Sequence, residues 1–268
     1  GFTLFGVGSG TNLDHIQVHR GLDDGVEHFG STDFMSHVVI TEAQDDSFDW
    51  GQGYRGGVQF MVVKQYDEHI DARIANGRTP TADHTIEADN DGSDPTIAPV
   101  SKPIIANATF MSHPLLLDKD GGSRDGMRLR RGTGADIYNS IAVGSAKECV
   151  RVDGDATWQQ ADAGELMMDN SVVGNCGGTG SETDGSDDVK LSGVSIAGAD
   201  ALAWFDGGSN NSRGTPWLPM VSRQPLPAST CKTPPSLSTS AASSWPPTTL
   251  APSRKTPATT GPPAGLSS

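Results

Sequence analysis

Two pairs of adjacent aspartates occur near the start of the chain, and the spacing between them recurs in other residues. The pairs are Asp23-Asp24 and Asp45-Asp46, which are 22 positions apart, and the same spacing relates Glu27 to Asp49. Carboxyl groups that lie close together shift one another's pKa, so that one can hold a proton while its neighbour is ionised. A pair of carboxyl groups in these two states is what cleaves glycosidic bonds, and a cluster of carboxylate oxygens is what Ca²⁺ binds.

The elements that must position these acids follow from apolar residues that repeat at the same spacing. The repeated pairs are Ile16 and Val18, Val38 and Ile40, and Phe60 and Val62. A fixed period in this range indicates stacked coils, each of which buries its apolar face on the next. Apolar and polar residues alternate along the segments as in half-buried strands, and crossovers between parallel strands are almost always right-handed. We therefore predict an all-β fold, a right-handed parallel β-helix with about 22 residues per coil.

The repeat can be followed, with insertions, through most of the chain. The first coil runs over about 11–31 and the second over about 32–53. Phe48 is matched by Ile86, which lies further along than one repeat, so we place a surface loop in the extra segment at 66–83. Weaker repeats continue beyond this loop, and a short helix is expected over 161–168. The predicted β-helix domain is 1–215.

The C-terminal segment 216–268 breaks the pattern. From 222 onward it holds ten of the 17 prolines and no acidic residue. Such a composition predicts an irregular or disordered tail rich in Pro, Ser and Thr. Reading a back-translation of 250–265 in another frame permits a sequence that resembles ordinary protein, so we also hypothesise that the tail is a frameshift product.

Charge and composition exclude several classes of function. The net charge is -14, and all 33 acidic residues lie at or before Asp206. Such a body should repel nucleic acid and anionic membranes and attract cations. No apolar run is long enough to span a membrane. The G-x-G-x-x-G pattern at 51–56 precedes a strand and not a helix, so no nucleotide cofactor is expected.

Three cysteines do not have the spacing of a metal site. They are Cys149, Cys176 and Cys231. Cys149 and Cys176 could form a disulfide if the protein is exported, and a pair of free thiols is the alternative.

Several longer motifs carry a family resemblance. They are DDGVEHFG at 23–30, DDSFDWGQGYRG at 45–56, VQFMVVKQ at 58–65, IEADNDG at 86–92 and LRRGTGADIYNS at 129–140. Over about 1–215 the chain resembles a group of bacterial exported proteins known as lipoproteins or hypothetical surface proteins. The resemblance implies a parallel β-helix and a location outside the cell or at its surface. The family has no agreed activity, so it transfers no catalytic residues.

The carboxylates of the repeat are the predicted acid–base groups. Strands of neighbouring coils lie about 4.8 Å apart, so residues one repeat apart become neighbours. Two bare carboxylates about 5 Å apart repel by roughly 3 kcal/mol at an effective dielectric constant near 20. Such a cluster should hold protons, bind a cation or pair with basic residues. Glu87 continues the alignment of Glu27 with Asp49, and Arg128 and Arg151 follow Glu87 in the same alignment. The candidate catalytic residues are Asp24, Asp46, Glu27 and Asp49, with His28 beside Glu27 as a further acid–base group.

Other side chains are candidates for substrate and metal binding. The rings of Trp50 and Tyr54 could stack on sugars in the long shallow groove that a β-helix face forms. Arg128 or Arg130 would hold an anionic group of the substrate. Oxygen ligands suit Ca²⁺, and the candidate ligands are Asp23, Asp45, Glu87, Asp89 and Asp91.

Three interpretations of the acids remain open. They could catalyse cleavage as in a polysaccharide hydrolase or lyase. They could bind Ca²⁺, which would join the coils or bridge an acidic sugar to the protein. They could also be turn residues, because aspartate caps backbone amides and the glycine that follows tolerates a positive φ. The predicted function is binding or cleavage of a polysaccharide or cell-surface glycan at an acidic face, and the alternative is a non-catalytic surface or adhesion module.

Overall fold

The computed structural model describes residues 1–65, 81–114, 116, 124–177 and 188–214. All of them belong to one compact unit, Gly1–Gln224, while a second unit, Pro225–Ser268, lies outside the described residues. The predicted tail at 216–268 and most of the predicted loop at 66–83 therefore fall outside the described part of the chain. Those two predictions stay predictions.

Strands dominate the described residues. In chain order they are β1 Phe2–Phe5, β2 Asn12–His19, β3 Val26–Phe29, β4 Phe34–Thr41, β5 Phe48–Gly51, β6 Gly57–Lys64, β7 Ile86–Ala88, β8 Ile104–Met111, β9 Met127–Leu129, β10 Ala135–Tyr138, β11 Ile141–Val143, β12 Val150–Asp153, β13 Leu166–Asp169, β14 Val172–Gly174, β15 Val189–Ser192 and β16 Ser212–Arg213. Two short helices accompany them, α1 Asp155–Asp162 and α2 Ala201–Gly207. Within the described ranges neither helix is long and apolar enough to cross a membrane.

The strands form two parallel sheets that run along the stack of coils. The first sheet has seven strands in the order β1-β3-β5-β7-β9-β12-β15. The second has the order β16-β14-β11-β8-β6-β4-β2, with β10 beside β8 and β13 beside β10. Each coil thus adds a strand next to its equivalent in the preceding coil. The prediction of an all-β parallel β-helix is confirmed.

Each of the four longest strands bends at one residue of left-handed conformation. These residues are His15, His37, Phe60 and Asn107, with φ between 52° and 59°. Asn139 and Asn170 have the same conformation and lie between consecutive short strands. Asparagine tolerates this conformation better than most residues. The bends also stack on one another: the rings of His15 and His37 lie 4.6 Å apart, and Asn139 Nδ2 donates to Asn107 Oδ1 at 3.3 Å.

The spacing of the sequence repeat holds from β2 to β4 and from β3 to β5, and it is one position longer from β4 to β6. Val26 pairs with Phe48 as the repeat predicts, but Val38 pairs with Met61 and not with Phe60. Met61 and Val63 are therefore buried, whereas Phe60 is 47% exposed. The expectation that Phe60 and Val62 continue the apolar repeat is wrong. One additional residue between β4 and β6 moves every side chain of β6 to the opposite face.

The core lies between the sheets and alternates along each strand with the outer face. One inward line runs through the first sheet and consists of Val26, Phe48, Ile86, Met127, Val150 and Val189, all of them buried. Because successive side chains of a strand point to opposite faces, the next residue on each strand points outward. The burial of this line therefore determines which residues of these strands form the outer face.

Two local expectations have clear outcomes. The predicted helix over 161–168 is wrong, because α1 ends at Asp162 and β13 begins at Leu166, where Leu166 and Met168 point into the core.

The cysteines were predicted to be either a disulfide or two free thiols, and the structure has the disulfide. Cys149 and Cys176 are bonded, with their Cα atoms 5.5 Å apart. This disulfide ties β12 to the segment that follows β14.

The shifted register predicts that truncating two adjacent residues lowers the free energy of unfolding by unequal amounts. Met61→Ala removes a fully buried side chain and should lower the free energy of unfolding by about 2–5 kcal/mol. Phe60→Ala removes an exposed ring and should cost less than about 1 kcal/mol. Urea unfolding of the two variants beside the unmodified protein measures both values. A larger loss for Phe60→Ala than for Met61→Ala would contradict the pairing of Val38 with Met61.

Candidate functional site

The outer face of the first sheet carries one line of charged side chains. Strand pairing places them side by side in the order Glu27, Asp49, Glu87, Arg128, Arg151 and Lys190. We call this set the charged line. Its first three members are acidic and its last three are basic, so charge changes sign along the stack of coils. The sequence repeat predicted the alignment of the first five.

Residues two positions before β3, β5, β7 and β9 form a second line, the corner line, which consists of Asp24, Asp46, His84 and Asp125. Asp24 Oδ1 accepts a hydrogen bond from the backbone N–H of Asp46 at 3.0 Å. Asp46 Oδ1 accepts one from the backbone N–H of His84 at 2.7 Å and also lies 2.9 Å from His84 Nδ1. Each carboxylate therefore caps the backbone of the next coil. This geometry supports the turn interpretation for Asp24 and Asp46.

The two lines meet in a cluster of carboxyl groups. Oxygen atoms of Asp24, Glu27 and Asp49 lie within 4.8 Å of one another, and the same holds for Asp23, Asp24 and Asp45. The cluster is at the acidic end of the charged line and is half-buried. Such proximity couples the proton equilibria of its members, so they titrate as a group.

Burial and mutual repulsion raise the pKa of the cluster. Burial, followed by the charge of Asp46, raises the pKa of Asp49 to about 9 and that of Asp24 to about 7. Burial also raises the pKa of Asp46 to about 8, although the hydrogen bond from the His84 backbone opposes the shift. Burial and then the charge of Asp46 raise the pKa of Glu87 to about 7. Several of these groups therefore hold protons at neutral pH.

His84 belongs to the corner line and was missed by the analysis of the sequence. Its side chain is almost fully buried, and Nδ1 lies 2.9 Å from Asp46 and 3.2 Å from Asp83. Its Nε2 lies 3.8 Å from Asp125 Oδ2. Burial lowers the pKa of the imidazole, so it is neutral at pH 7. The spacing that matches Phe48 with Ile86 also matches Asp46 with His84, so the signal was present.

Three predicted site residues lie inside the β-helix. His28, Trp50 and Tyr54 are each 0% exposed. His28 stacks on Tyr54 with ring centroids 4.1 Å apart, and Trp50 Nε1 donates to Thr133 Oγ1 at 3.0 Å. The expectation that His28 acts on substrate and that the two rings stack on sugars is wrong. Strand alternation explains why His28 and Trp50 are buried, since each directly follows a residue whose carboxylate points outward.

The predicted substrate-binding arginines pair with carboxylates of the protein. Arg128 donates from Nε and Nη2 to Asp153 Oδ2, at 3.2 Å and 2.9 Å. Arg130 donates to Asp89 Oδ1 at 2.7 Å and also to Glu87. Both arginines line a surface pocket. They are therefore placed where a ligand can reach them, and Arg130 partly neutralises the acidic part of the charged line.

The predicted Ca²⁺ ligands have different surroundings. Asp23 and Asp45 join the oxygen cluster around Asp24. Glu87 and Asp89 are held by Arg130. Asp91 is exposed, and its Oδ1 accepts the backbone N–H groups of Ser93 and Asp94 in a local turn. The donor set around Asp24 consists of oxygen only and fits Ca²⁺.

Comparisons with known proteins support the fold family. A family model described as a pectate-lyase like beta helix domain matches residues 1–209. No curated protein matches, and no solved structure matches. The match covers most of the 268 residues, including every member of the charged line and the corner line. It confirms the predicted resemblance to a family of parallel β-helices, and the domain suggests a carbohydrate-related function.

The raised pKa values predict that stability falls as pH rises from 7 to 9. A carboxyl group whose pKa is raised by folding stabilises the protein fully below its unfolded pKa, near 4, and loses that contribution as pH rises through its folded pKa. Asp46, with a folded pKa of about 8, loses most of its contribution in this window, and Asp49, with a folded pKa of about 9, is still losing its contribution at pH 9. Asp49→Asn should make the decline shallower, by up to about 1 kcal/mol per pH unit.

Urea unfolding at pH 7, 8 and 9 measures this slope. Asp91→Asn is the matched control, because hydrogen bonds from its turn lower the pKa of Asp91 and remove it from the window. Stability that is constant or rises between pH 7 and 9 would show that the cluster is already ionised.

Proposed function

We propose, for a chain that belongs to the family of pectate-lyase-like β-helix domains, that its acidic face binds a carbohydrate polymer and cleaves it by acid–base catalysis. The observation that carries this proposal is the cluster of Asp24, Glu27 and Asp49, whose oxygens lie within 4.8 Å of one another on an outer face. A raised pKa lets one of these groups act as an acid while another acts as a base.

The geometry suits chemistry in which a proton is given to a leaving oxygen. Burial and the charge of Asp46 raise the pKa of Asp49 to about 9, so Asp49 is the group best able to donate that proton. A neighbouring carboxylate can then attack the sugar or activate water in a hydrolase, or remove a carbon-bound proton in a lyase. Oxygens of the cluster approach within 4.8 Å, which is closer than the wider carboxyl spacing of inverting glycosidases.

His84 has a positioning role in this proposal. It donates its backbone N–H to Asp46 and places Nδ1 beside the same oxygen. Asp46 is buried and its charge raises the pKa of Asp49. His84 thus acts on the acid through Asp46 and does not itself reach a substrate.

Export to an oxidising compartment is part of the proposed function. The buried disulfide between Cys149 and Cys176 supports it, because disulfides persist mainly outside the reducing cytosol. A polymer substrate or a surface glycan is also met outside the cell. The proposed location is secreted or on the cell surface.

A non-catalytic surface module is the second candidate. The hydrogen bonds from backbone N–H groups to Asp24 and Asp46 favour it, because they give both carboxylates a structural task. In this candidate Asp23, Asp24 and Asp45 would hold Ca²⁺, which would supply charge neutralisation between neighbouring coils. Carboxylates that bind Ca²⁺ do not hold protons, so the two candidates make opposite predictions for the same cluster.

Loss of the proton-holding groups should abolish turnover. Asp49→Asn, and separately Asp24→Asn, should lower the rate of polymer cleavage by about 10²- to 10⁴-fold, because each removes an acid–base group. Binding of the polymer should remain. A panel of glycans assayed for new reducing ends and for the unsaturated sugar left by elimination detects both reactions. Asp91→Asn should keep full activity. Full activity in both cluster variants would remove the case for catalysis.

Calcium dependence is tested by thermal melting. If the cluster binds the ion, melting in excess Ca²⁺ should occur at a higher temperature than in EDTA, with a gain of about 2.7 kcal/mol at a concentration 100 times the Kd. Asp24→Asn should remove this difference, since Asp24 belongs to both oxygen groups, and Asp91→Asn should retain it. Superimposable curves for the unmodified protein would exclude a stabilising ion at the cluster.

A further inference from the structure

A pocket lies beside the start of α1, at the basic part of the charged line. Its volume is about 400 Å³, which is in the range of cavities that hold small ligands or parts of larger ones. The lining residues are Pro95, Arg128, Arg130, Arg131 and the segment 153–157. Asp153 and Asp155 lie beside the three arginines in the lining, and Glu87 and Asp89 pair with Arg130 and Arg131. The pocket thus presents guanidinium groups, whereas the acidic cluster on the same face presents carboxyl groups.

Some guanidinium nitrogens of the pocket are not used in hydrogen bonds to the protein. Arg128 uses Nε and Nη2 on Asp153, and Arg131 uses Nη1 on Asp89. Within the described part of the chain, Arg128 Nη1 and the other two nitrogens of Arg131 have no protein acceptor. The side chain of Arg131 is 47% exposed at the mouth of the pocket. These groups are available to a ligand.

The acceptors of the pocket are largely occupied. Asp155 accepts from the backbone N–H and from the hydroxyl of Ser195, and Asp153 Oδ2 accepts both bonds from Arg128. Gly154 at the start of α1 provides no side-chain cap, so the first backbone N–H groups of the helix add further donors. Donors therefore outnumber open acceptors, and a ligand that supplies acceptor oxygens fits best.

We propose that this pocket binds an oxyanion group, a carboxylate or a sulfate ester, carried by the polymer. Guanidinium groups bind such groups through paired, charge-assisted hydrogen bonds. The identity of the polymer rests on the proposed function, whereas the binding of a small oxyanion does not.

The position of the pocket sets the distance between a bound anionic group and the acidic cluster. Asp49 lies on β5 and Arg128 on β9, with β7 between them, so the two side chains are separated by two strand spacings, about 10 Å. An anionic group held by Arg128 and Arg131 therefore lies one to two sugar units from the acidic cluster. A polymer gains contacts from the pocket only if it carries an anionic group at this distance from the bond at the cluster, and a neutral polymer gains nothing from the pocket.

Small oxyanions test the pocket without any polymer. Titration calorimetry with inorganic sulfate and with acetate, at constant ionic strength, should show saturable binding of at least one of them. Arg131→Gln and Arg128→Gln should each weaken that binding about tenfold, because each removes a charge-assisted contact. Arg20→Gln is the matched control, since it breaks an arginine–carboxylate pair with Glu42 outside the pocket. Binding that is absent, or lost equally in the control, would overturn the proposal.

Polymers identify the source of the group. Affinity electrophoresis through a polyuronate, a sulfated glycan and a neutral glucan should show that Arg131→Gln loses about tenfold in affinity for an anionic polymer and none for the neutral one. An equal loss on both would contradict the proposal. If Asp49→Asn binds sulfate or acetate and keeps full activity, the proposed catalysis is refuted and the pocket is not. If Asp49→Asn loses activity but no small oxyanion binds to the protein, the pocket alone is refuted.

Discussion

Parallel pairing of equivalent strands from successive coils is the constraint on which this structure depends. It brings Asp49 and Glu87 side by side although a long insertion separates them in the chain. Whatever side chain a position carries is therefore placed about 4.8 Å from its counterparts. Inside, this builds the continuous apolar line from Val26 to Val189. Outside, it builds a line of charges that no single coil could make.

The crowding of like charges explains the chemistry of the site. The burial of the apolar line holds the strands together, so the carboxylates above it cannot move apart. The corner carboxylates accept backbone N–H groups, Arg130 pairs with Glu87 and Asp89, and burial raises the pKa of Asp49 to about 9. The same pairing then places arginines two coils further on. One face thus combines proton-holding acids with a donor-rich pocket at a fixed separation.

Much of the fold and part of the site could be predicted from residue spacing. The repeat indicated a parallel β-helix and aligned Glu27 with Asp49 and Glu87, and the pairing of the strands agrees. His84 was predictable from its spacing to Asp46 but was not identified. His28 and Trp50 were assigned to the outer face although each follows an outward carboxylate, so strand alternation alone would have placed them inside. The position of Tyr54 did not follow from the sequence, because it lies between strands, where no alternation applies.

The sequence by itself determined the coil, its apolar interior and the order of charges along the outer face, because these depend only on period and strand alternation. The tertiary structure decided what the period could not. The shift of one position that exposes Phe60 depends on how the chain passes between β4 and β6. The protonation of the acids depends on burial. The pocket depends on where α1 begins relative to Arg128 and Arg131. Each of these is set by distances between coils, and spacing along a chain does not contain them.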